Sequence, residues 1–302
     1  MSERPLQCQC CGGLVCLFRE LRAALLTRVE ERRYNRKSRE QSERIIAMTK
    51  ESVIKNLQGA ECFYVPFSIS TKMPYVICDE EDFDDQILAF EEEEDLKAYV
   101  KARAEEKILL QVTRVEKSMY TRFYGNLYGI GVNAIVYKKG QEERKVELAE
   151  VAVQADFSKV PREKKPLLNP SLQLSGIYFM QAWRRAVPDQ EKGDVRSLEE
   201  ELVVNIIRSK FLLAVNVEQE GDQRKLNIPY VKNKNGDIFQ PCFSDIMEFQ
   251  KFAAGRKLGM IQVNFKKMLS LLVEQSKGYV LNPAGFNLTL AREQLEKMAK
   301  VK

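Results

Sequence analysis

Apolar and polar positions along the first half of the chain follow two periods, one typical of strands and one typical of helices. Short runs rich in β-branched and aromatic residues predict strands. A stretch that begins with four glutamates predicts an amphipathic helix, because acidic side chains suit the positive end of a helix dipole. We predict helices over 50–58, 91–103, 115–124 and 142–153, a turn at Gly125, Gly129 and Gly131, and strands over 62–65, 74–77, 86–90, 107–113 and 131–137.

The second half repeats this order of helices and strands. Ser197 and Glu200 have the spacing of a capping box, so we predict that a helix begins there. Asn235-Gly236 is a dipeptide typical of a hairpin turn, and Ser244 is predicted to cap the helix that follows. The predicted helices are 198–210, 245–254, 266–275 and 290–300, and the predicted strands are 211–217, 226–231, 238–242, 258–264 and 279–282.

Three short segments of sequence also match between the two halves. Their offsets are 155, 151 and 149 positions, a drift that short loop insertions would produce. The matched segments are 73–76 (MPYV) with 228–231 (IPYV), 110–112 (LQV) with 261–263 (IQV), and 129–133 (GIGVN) with 278–282 (GYVLN). We therefore interpret the chain as two homologous modules of the α/β (α+β) class, each a mixed sheet flanked by helices.

Changes in composition set the predicted boundaries of these modules. We predict modules over 48–157 and 197–302, joined by a helical connector over 158–196 that contains four prolines. Residues 1–47 carry ten basic and six acidic side chains, and so hold four of the five net positive charges of the chain. We expect this basic, cysteine-rich segment to be a mobile extension, with an over-extended start site as one explanation for it.

The second module resembles the N-terminal domain of the SseB family, which is named for enhanced serine sensitivity. The resemblance lies in a turn and strand over 234–244 and in the segment 278–285 before the final helix. The first module fits as a degenerate copy, with Asn133-Ala134 in place of Asn-Pro. The resemblance implies a mixed sheet flanked by helices in a bacterial cytoplasmic protein, and it supplies no catalytic residues. The family-motif residues are Asn235, Gly236, Asn282, Pro283 and Gly285.

Composition excludes several kinds of active site and partner. The chain has no histidine, which rules out imidazole acid–base catalysis, Ser–His and Cys–His nucleophile pairs and imidazole zinc sites. After residue 47 the basic and acidic side chains nearly balance, 38 against 37, so we expect nucleic-acid binding nowhere except at the basic N-terminus. The cysteines do not form a disulfide framework. We expect a cytoplasmic protein with reduced thiols, no membrane segment and no cofactor.

Two clusters offer metal ligands, and each has a simpler interpretation. The four N-terminal thiols crowd into nine residues instead of forming two separated knuckles, so an exposed thiol-rich tail is the alternative to a zinc site. The second cluster lies in the acidic run 79–85, which lacks the central glycine of an EF-hand loop. A solvated hairpin turn is the alternative to a calcium or magnesium site there. The two clusters are Cys8, Cys10, Cys11 and Cys16, and Asp79, Asp82 and Asp84.

The helix within the connector is the candidate binding surface. The spacing i, i+3, i+6 and i+10 relates Ile177, Met180, Trp183 and Val187. We predict that these four residues share roughly one helix face. Aromatic side chains next to arginine are typical of protein-binding hot spots. The alternative is a helix buried between the two modules that staples them together. The candidate partner-binding residues are Ile177, Tyr178, Phe179, Met180, Trp183 and Arg184.

These observations favour a non-enzymatic binding or regulatory protein of the SseB type. We expect it to recognise a protein partner or a small metabolite through the surface between the modules, because duplication creates a shared surface there. The alternative is a metal-binding protein, or an enzyme that uses the carboxylates of the acidic run. The sequence leaves a homo-oligomer open.

Overall fold

The computed structural model describes residues 48–161, 164–220 and 223–300. The predictions for residues 1–47, including the four N-terminal cysteines, lie outside the described residues. The helices are α1 (Lys50–Gly59), α2 (Glu93–Glu105), α3 (Tyr120–Ile130), α4 (Leu148–Val151), α5 (Pro170–Trp183), α6 (Val195–Arg208), α7 (Ile246–Ala253), α8 (Phe265–Ser270) and α9 (Arg292–Met298). The strands are β1 (Cys62–Ser68), β2 (Met73–Pro74), β3 (Val76–Cys78), β4 (Asp85–Phe90), β5 (Leu110–Glu116), β6 (Ala134–Lys139), β7 (Glu142–Glu147), β8 (Lys210–Glu220), β9 (Gln223–Asn227), β10 (Val231–Lys232), β11 (Ile238–Phe243), β12 (Gly259–Asn264), β13 (Gly278–Leu281) and β14 (Leu288–Ala291).

The strands form two mixed sheets that share one topology. In the first sheet, β1 pairs with β5, β2 and β4, β4 also pairs with β3 and β6, and β6 pairs with β7. In the second sheet, β8 pairs with β12, β9 and β11, β11 also pairs with β10 and β13, and β13 pairs with β14. The β4–β6 and β11–β13 pairs are parallel, and the others are antiparallel. The fold is therefore α+β, as the sequence predicts, with two sheets flanked by helices.

We name the first lobe as residues 53–151 and the second lobe as residues 195–298; both belong to one compact unit together with α5. The central strands β4 and β11 are almost entirely buried, because helices cover the sheets and leave little of these strands exposed to solvent. In the first lobe Leu88, Phe90, Leu96 and Val136 form an apolar cluster. In the second lobe Leu212, Ala214, Phe243 and Phe249 form its counterpart.

The helix predicted over 142–153 is wrong. Residues Glu142–Glu147 form strand β7, and a short helix, Leu148–Val151, follows it. Gly140 has a φ of +58° and turns the chain back, so that β7 pairs with β6 along its whole length. The charged residues of this segment fit a helix as well as an edge strand, and the hairpin decides between them.

The predicted helix over 115–124 and the glycine turn after it are also misplaced. Strand β5 continues to Glu116, since its pairing with β1 runs that far. Helix α3 then includes Gly125 and Gly129 and ends at Gly131, whose φ is +91°. Asn133 therefore precedes strand β6, whereas Asn282 follows strand β13. The match between 129–133 and 278–282 consequently joins segments that are not equivalent in the fold.

Three helix starts in the second half differ from the prediction. Helix α6 begins at Val195, and its cap is Asp194, which accepts a hydrogen bond from the Ser197 N–H at 3.0 Å. Asp245, instead of Ser244, caps α7. The stretch predicted to open the last helix forms β14, because it pairs with β13 before the helix begins at Arg292. The cap of α6 is a local contact between residues three apart. Contacts with distant segments decide the other two helix starts, since Ser244 is bonded to Asn282 and β14 is paired with β13.

Candidate functional site

The connector helix α5 contacts both lobes and organises the candidate site. Asn169, the residue before it, donates hydrogen bonds to the carbonyl oxygens of Lys210 (2.7 Å) and Ser244 (2.6 Å) in the second lobe. Pro170 occupies the first helical turn, where its missing N–H costs nothing. These contacts fix where the helix starts, and so which side chains face each lobe.

Two side chains of α5 bind the first lobe. The Val76 N–H donates to Gln181 Oε1 at 3.3 Å, and Gln181 Nε2 donates to the Val76 carbonyl at 2.9 Å. The Gln181 amide therefore pairs with strand β3 as a neighbouring strand would. Tyr178 donates its hydroxyl to Asp85 Oδ1 at 2.5 Å. Burial raises the pKa of Tyr178, so this hydroxyl stays protonated and keeps its role as a donor.

Other residues of α5 bind the second lobe. A Cβ added to Gly176 would lie 2.8 Å from the Phe286 ring, so the helix backbone packs directly on that buried ring. Arg184, just after the helix, donates to the Ser70 carbonyl of the first lobe and to the Asn287 carbonyl of the second lobe. The guanidinium of Arg184 thus bridges the two lobes.

The six candidate partner-binding residues do not share one environment. Ile177 and Met180 are 0% and 1% exposed and lie in the interior of the protein. Phe179 is also buried, and its ring stacks on Trp183 with centroids 5.8 Å apart. Trp183 is 49% exposed. Because α5 ends at Trp183, Val187 does not lie on its face, contrary to the predicted spacing.

The exposed Trp183 lies in a groove of about 450 Å³. Helix α6 forms one side of the groove, and strand β14 with helix α9 forms the other. Strand β14 ends the second sheet and pairs with β13 alone among the described strands. We call this feature the Trp183 groove, and its apolar lining consists of Phe179, Trp183, Val195, Leu202, Val203, Ile206, Leu288, Leu290 and Met298.

The family-motif residue Asn282 lies in a buried polar network where the parallel strands β11 and β13 end. Its Oδ1 accepts the Ser244 N–H at 2.9 Å, and its Nδ2 donates to Ser244 Oγ at 2.8 Å. Asp245 Oδ2 accepts hydrogen bonds from Ser244 Oγ (2.7 Å) and from Gln173 Nε2 of α5 (2.5 Å). Ligands often bind beyond the carboxyl ends of parallel strands. Here protein side chains fill that position and tie α5 to the second lobe.

The same network explains why residue 285 is a glycine. The carboxyl group of Glu248 is fully buried, and its Oε1 accepts a hydrogen bond from Lys251 at 2.6 Å. A Cβ on residue 285 would lie 2.5 Å from Glu248 Oε2, which has no hydrogen-bond partner among the described residues. Burial raises the pKa of Glu248, because the ionised form loses hydration. Pro283 is partly exposed between Asn282 and this contact.

The other two motif residues form a turn on the surface. Asn235 and Gly236 lie in the loop between β10 and β11, and Gly236 has a φ of +84°. Asn233 Oδ1 accepts the N–H groups of Asn235 and Asp237, each at 2.9 Å. The hairpin is therefore present, but its loop spans residues 233–237 and is held by Asn233.

The three carboxylates considered for a metal surround a lysine instead. Lys145 Nζ lies 2.9 Å from Asp84 and 3.7 Å from Asp79, and it also contacts Asp82. Hydrogen bonding to Lys145 contributes most to lowering the pKa of Asp84. The ammonium group occupies the place that a cation would take. Within the described ranges, no group of three cysteine or acidic side chains has metal-binding geometry.

Sequence reasoning missed the polar network behind Asn282. Gln173, Asp245 and Glu248 are 1%, 2% and 0% exposed, although such residues are seldom buried. Asp245 and Glu248 lie three residues apart, but Gln173 is 72 positions from Asp245, so spacing does not reveal the contact that joins them.

In the part of the chain that the structure describes, no helix has the length and apolar character to cross a bilayer.

Comparisons with known proteins identify one domain. Residues 187–297 match the family model described as the SseB protein N-terminal domain, which supports the SseB resemblance for this part of the chain. No curated protein matches the chain. The solved structures "Anabaena Tic22 (protein transport)" and "Tic22 from Plasmodium falciparum" are similar at 11% and 12% identity. They cover 84% and 82% of this chain and 99% and 95% of their own, with TM-scores of 0.21 and 0.18, which are too low to support an argument.

Proposed function

We propose that this is a non-enzymatic binding protein of the SseB type that recognises a protein partner through the Trp183 groove. The observation that carries the proposal is Trp183 itself, the one tryptophan of the chain, which is 49% exposed and stacked on Phe179 beside an edge strand. A tryptophan set in an apolar groove is typical of binding hot spots. The match of residues 187–297 to the SseB domain is consistent with a protein-associated role.

We further propose that the two lobes arose by duplication of one module, over 48–157 and 197–302, with 158–196 as the connector. The shared strand order and strand sense of the two sheets support this proposal. Matched segments also occupy corresponding strands, since 110–112 lies in β5 and 261–263 lies in β12.

The proposed location is the cytoplasm of a bacterium, where the exposed Cys78 thiol would stay reduced.

Affinity capture from the native cell tests the groove. The variants are Trp183→Ala and Val203→Asp, which alter the groove, and Tyr230→Ala as a matched control. Tyr230 is also 49% exposed but does not line the groove. We expect wild type and Tyr230→Ala to retain one specific protein that both groove variants lose. Thermal unfolding of each variant shows whether it is folded.

The emission of Trp183 gives a second readout with purified components. Burial of the indole by the captured partner should shift its emission to shorter wavelength. Equal capture by wild type and both groove variants contradicts the proposal, and so does binding of the partner without a change in Trp183 emission.

A further inference from the structure

A second cavity lies along another face of α5. Tyr178, Gln181 and Ala182 are spaced at i, i+3 and i+4 on α5 and line this cavity together with Arg185, which follows the helix, whereas Phe179 and Trp183 line the groove. Its volume is about 720 Å³, which is within the range of small-molecule sites. The first lobe supplies the opposite wall, from residues 68–70, 75–78 and 107–109. We call this feature the Arg185 cavity.

The charge of the Arg185 cavity has one sign. Four cationic side chains line it, and none of the lining residues is acidic. Lys192 is paired with Asp189 at 2.9 Å. Lys107 is exposed and makes no ion pair among the described residues. The four cations are Lys107, Arg184, Arg185 and Lys192.

The two arginines lack carboxylate partners within the described residues. Arg185 donates to the carbonyl oxygens of Glu191 (3.2 Å) and Glu106 (2.9 Å), and its buried Nε has no acceptor. Arg184 donates to backbone carbonyls only. Burial lowers the pKa of Arg184, as expected for a charge that loses hydration. An anion would offset the cost of the buried and unpaired Nε of Arg185.

Apolar surface faces the same space. Ile69 and Leu109 are 55% and 56% exposed, and both line the cavity together with Tyr75 and Ile108. The backbone in this wall is already paired, since the Ile69 N–H donates to the Leu109 carbonyl at 3.1 Å and Val76 is bonded to Gln181. These segments do not offer a strand edge to a peptide. The lining instead fits a small molecule with an apolar body.

We propose that the Arg185 cavity binds a small organic acid whose carboxylate meets Arg185 and Lys107 and whose apolar body lies against Ile69 and Leu109. This inference goes beyond the proposed protein partner, because it assigns a different ligand to a different face of α5. Arginine is suited to the head group, since its planar guanidinium matches carboxylate geometry.

Calorimetric titration of the intact chain tests the proposal with three probes that share one apolar body. The probes are phenylbutyrate, phenylbutanol and phenylbutylamine. We expect the acid to bind at least about tenfold more tightly than the alcohol, the typical gain from one charge-assisted hydrogen bond. The amine should bind more weakly still. Equal affinities for the three, or no binding of the acid at millimolar concentration, would overturn the proposal.

Charge reversal locates the site. Lys107→Glu should weaken phenylbutyrate binding about tenfold or more, and the matched surface change Lys266→Glu should leave it unchanged. Equal effects of the two changes would mean a nonspecific charge effect and would overturn the site. Trp183→Ala separates the two proposals, because it should abolish protein capture and leave phenylbutyrate binding intact.

Discussion

The two lobes share a strand order but differ where their parallel strands end. In the second lobe β11 runs into Ser244 and Asp245, which are 0% and 2% exposed and bonded to Asn282 and Gln173. In the first lobe β4 runs into Glu91, whose side chain is 28% exposed. It accepts a hydrogen bond from the hydroxyl of the buried Tyr137 at 3.0 Å and pairs with the exposed Lys139. One topology can thus be held by a buried polar network or by apolar packing with a surface ion pair.

The family resemblance lies in one of the two lobes. The SseB match covers the lobe that contains the polar network. A buried polar group needs a particular partner in a particular place, so it ties the sequence to specific residues. Apolar packing accepts many combinations of similar volume. A buried polar network therefore constrains residue identity more than apolar packing does.

The largest expected effect comes from cutting the polar network. Asp245→Ala should lower the free energy of unfolding by about 3 kcal/mol, since it removes a helix cap and leaves buried donors without acceptors. Glu91→Ala, at the corresponding strand end of the first lobe, should cost less, about 1–2 kcal/mol, since it removes a partly exposed ion pair and the acceptor of the Tyr137 hydroxyl. Asn264→Ala, which removes an exposed cap of α8, should cost about 1 kcal/mol.

Chemical denaturation of the three variants measures these differences. The comparison between the lobes fails if Glu91→Ala costs as much as Asp245→Ala. If Asn264→Ala costs as much as Asp245→Ala, the cap alone accounts for the loss and the buried network contributes nothing.

A smaller effect is expected from filling the space at Gly285. Gly285→Ala should destabilise the protein by about 2 kcal/mol, because the added Cβ would contact Glu248 Oε2 in a buried site. Gly125→Ala in α3 of the first lobe is the matched control. No atom lies within 4 Å of its added Cβ, and alanine is the better helix former, so we expect a gain of up to about 1 kcal/mol. A neutral Gly285→Ala in thermal unfolding would contradict the tight contact.

The smallest effect is a pair of opposite pH dependences. Glu248 has a raised pKa in the folded state, so the folded protein holds its proton more tightly, and stability falls as pH rises above the unfolded value of about 4.3. Asp84 has a lowered pKa, so its contribution is present above the unfolded value of about 3.9 and is lost as pH falls.

Two neutral variants separate these contributions. As pH rises from about 4 to 7, Glu248→Gln should gain stability relative to wild type. Asp84→Asn should lose stability relative to wild type as pH rises from about 2 to 5, the range in which the unfolded carboxyl releases its proton. Denaturant unfolding over the two ranges measures both slopes. Slopes of the same sign would show that the two carboxyl groups do not differ as the structure indicates.

Much of the fold could be predicted from the sequence because it depends on local patterns. The apolar runs around β1, β4, β8 and β11 predict strands close to those observed, and the glutamate-rich start predicts α2. The errors fall where a segment suits two structures. Residues 142–147 and 288–291 became edge strands because a neighbouring strand was available to pair with them.

The candidate site was harder to predict, since helix periodicity gives a face but not its surroundings. The sequence placed aromatic residues and arginine on α5 and left two interpretations open, a docking surface or a staple. Ile177 and Met180 are buried, whereas Trp183 and Arg184 remain accessible, so different residues of one helix meet different neighbours.

The sequence by itself determined the alternation of helices and strands, the absence of imidazole chemistry and the motif residues around Asn282, since each depends on residue identity and spacing. The tertiary structure alone decided that Gln173, Ser244, Asp245 and Asn282 meet in one buried network, and that Arg185 and Lys107 face one cavity. The physical reason is that burial and unpaired charge arise where distant segments pack together, and no local pattern specifies that packing.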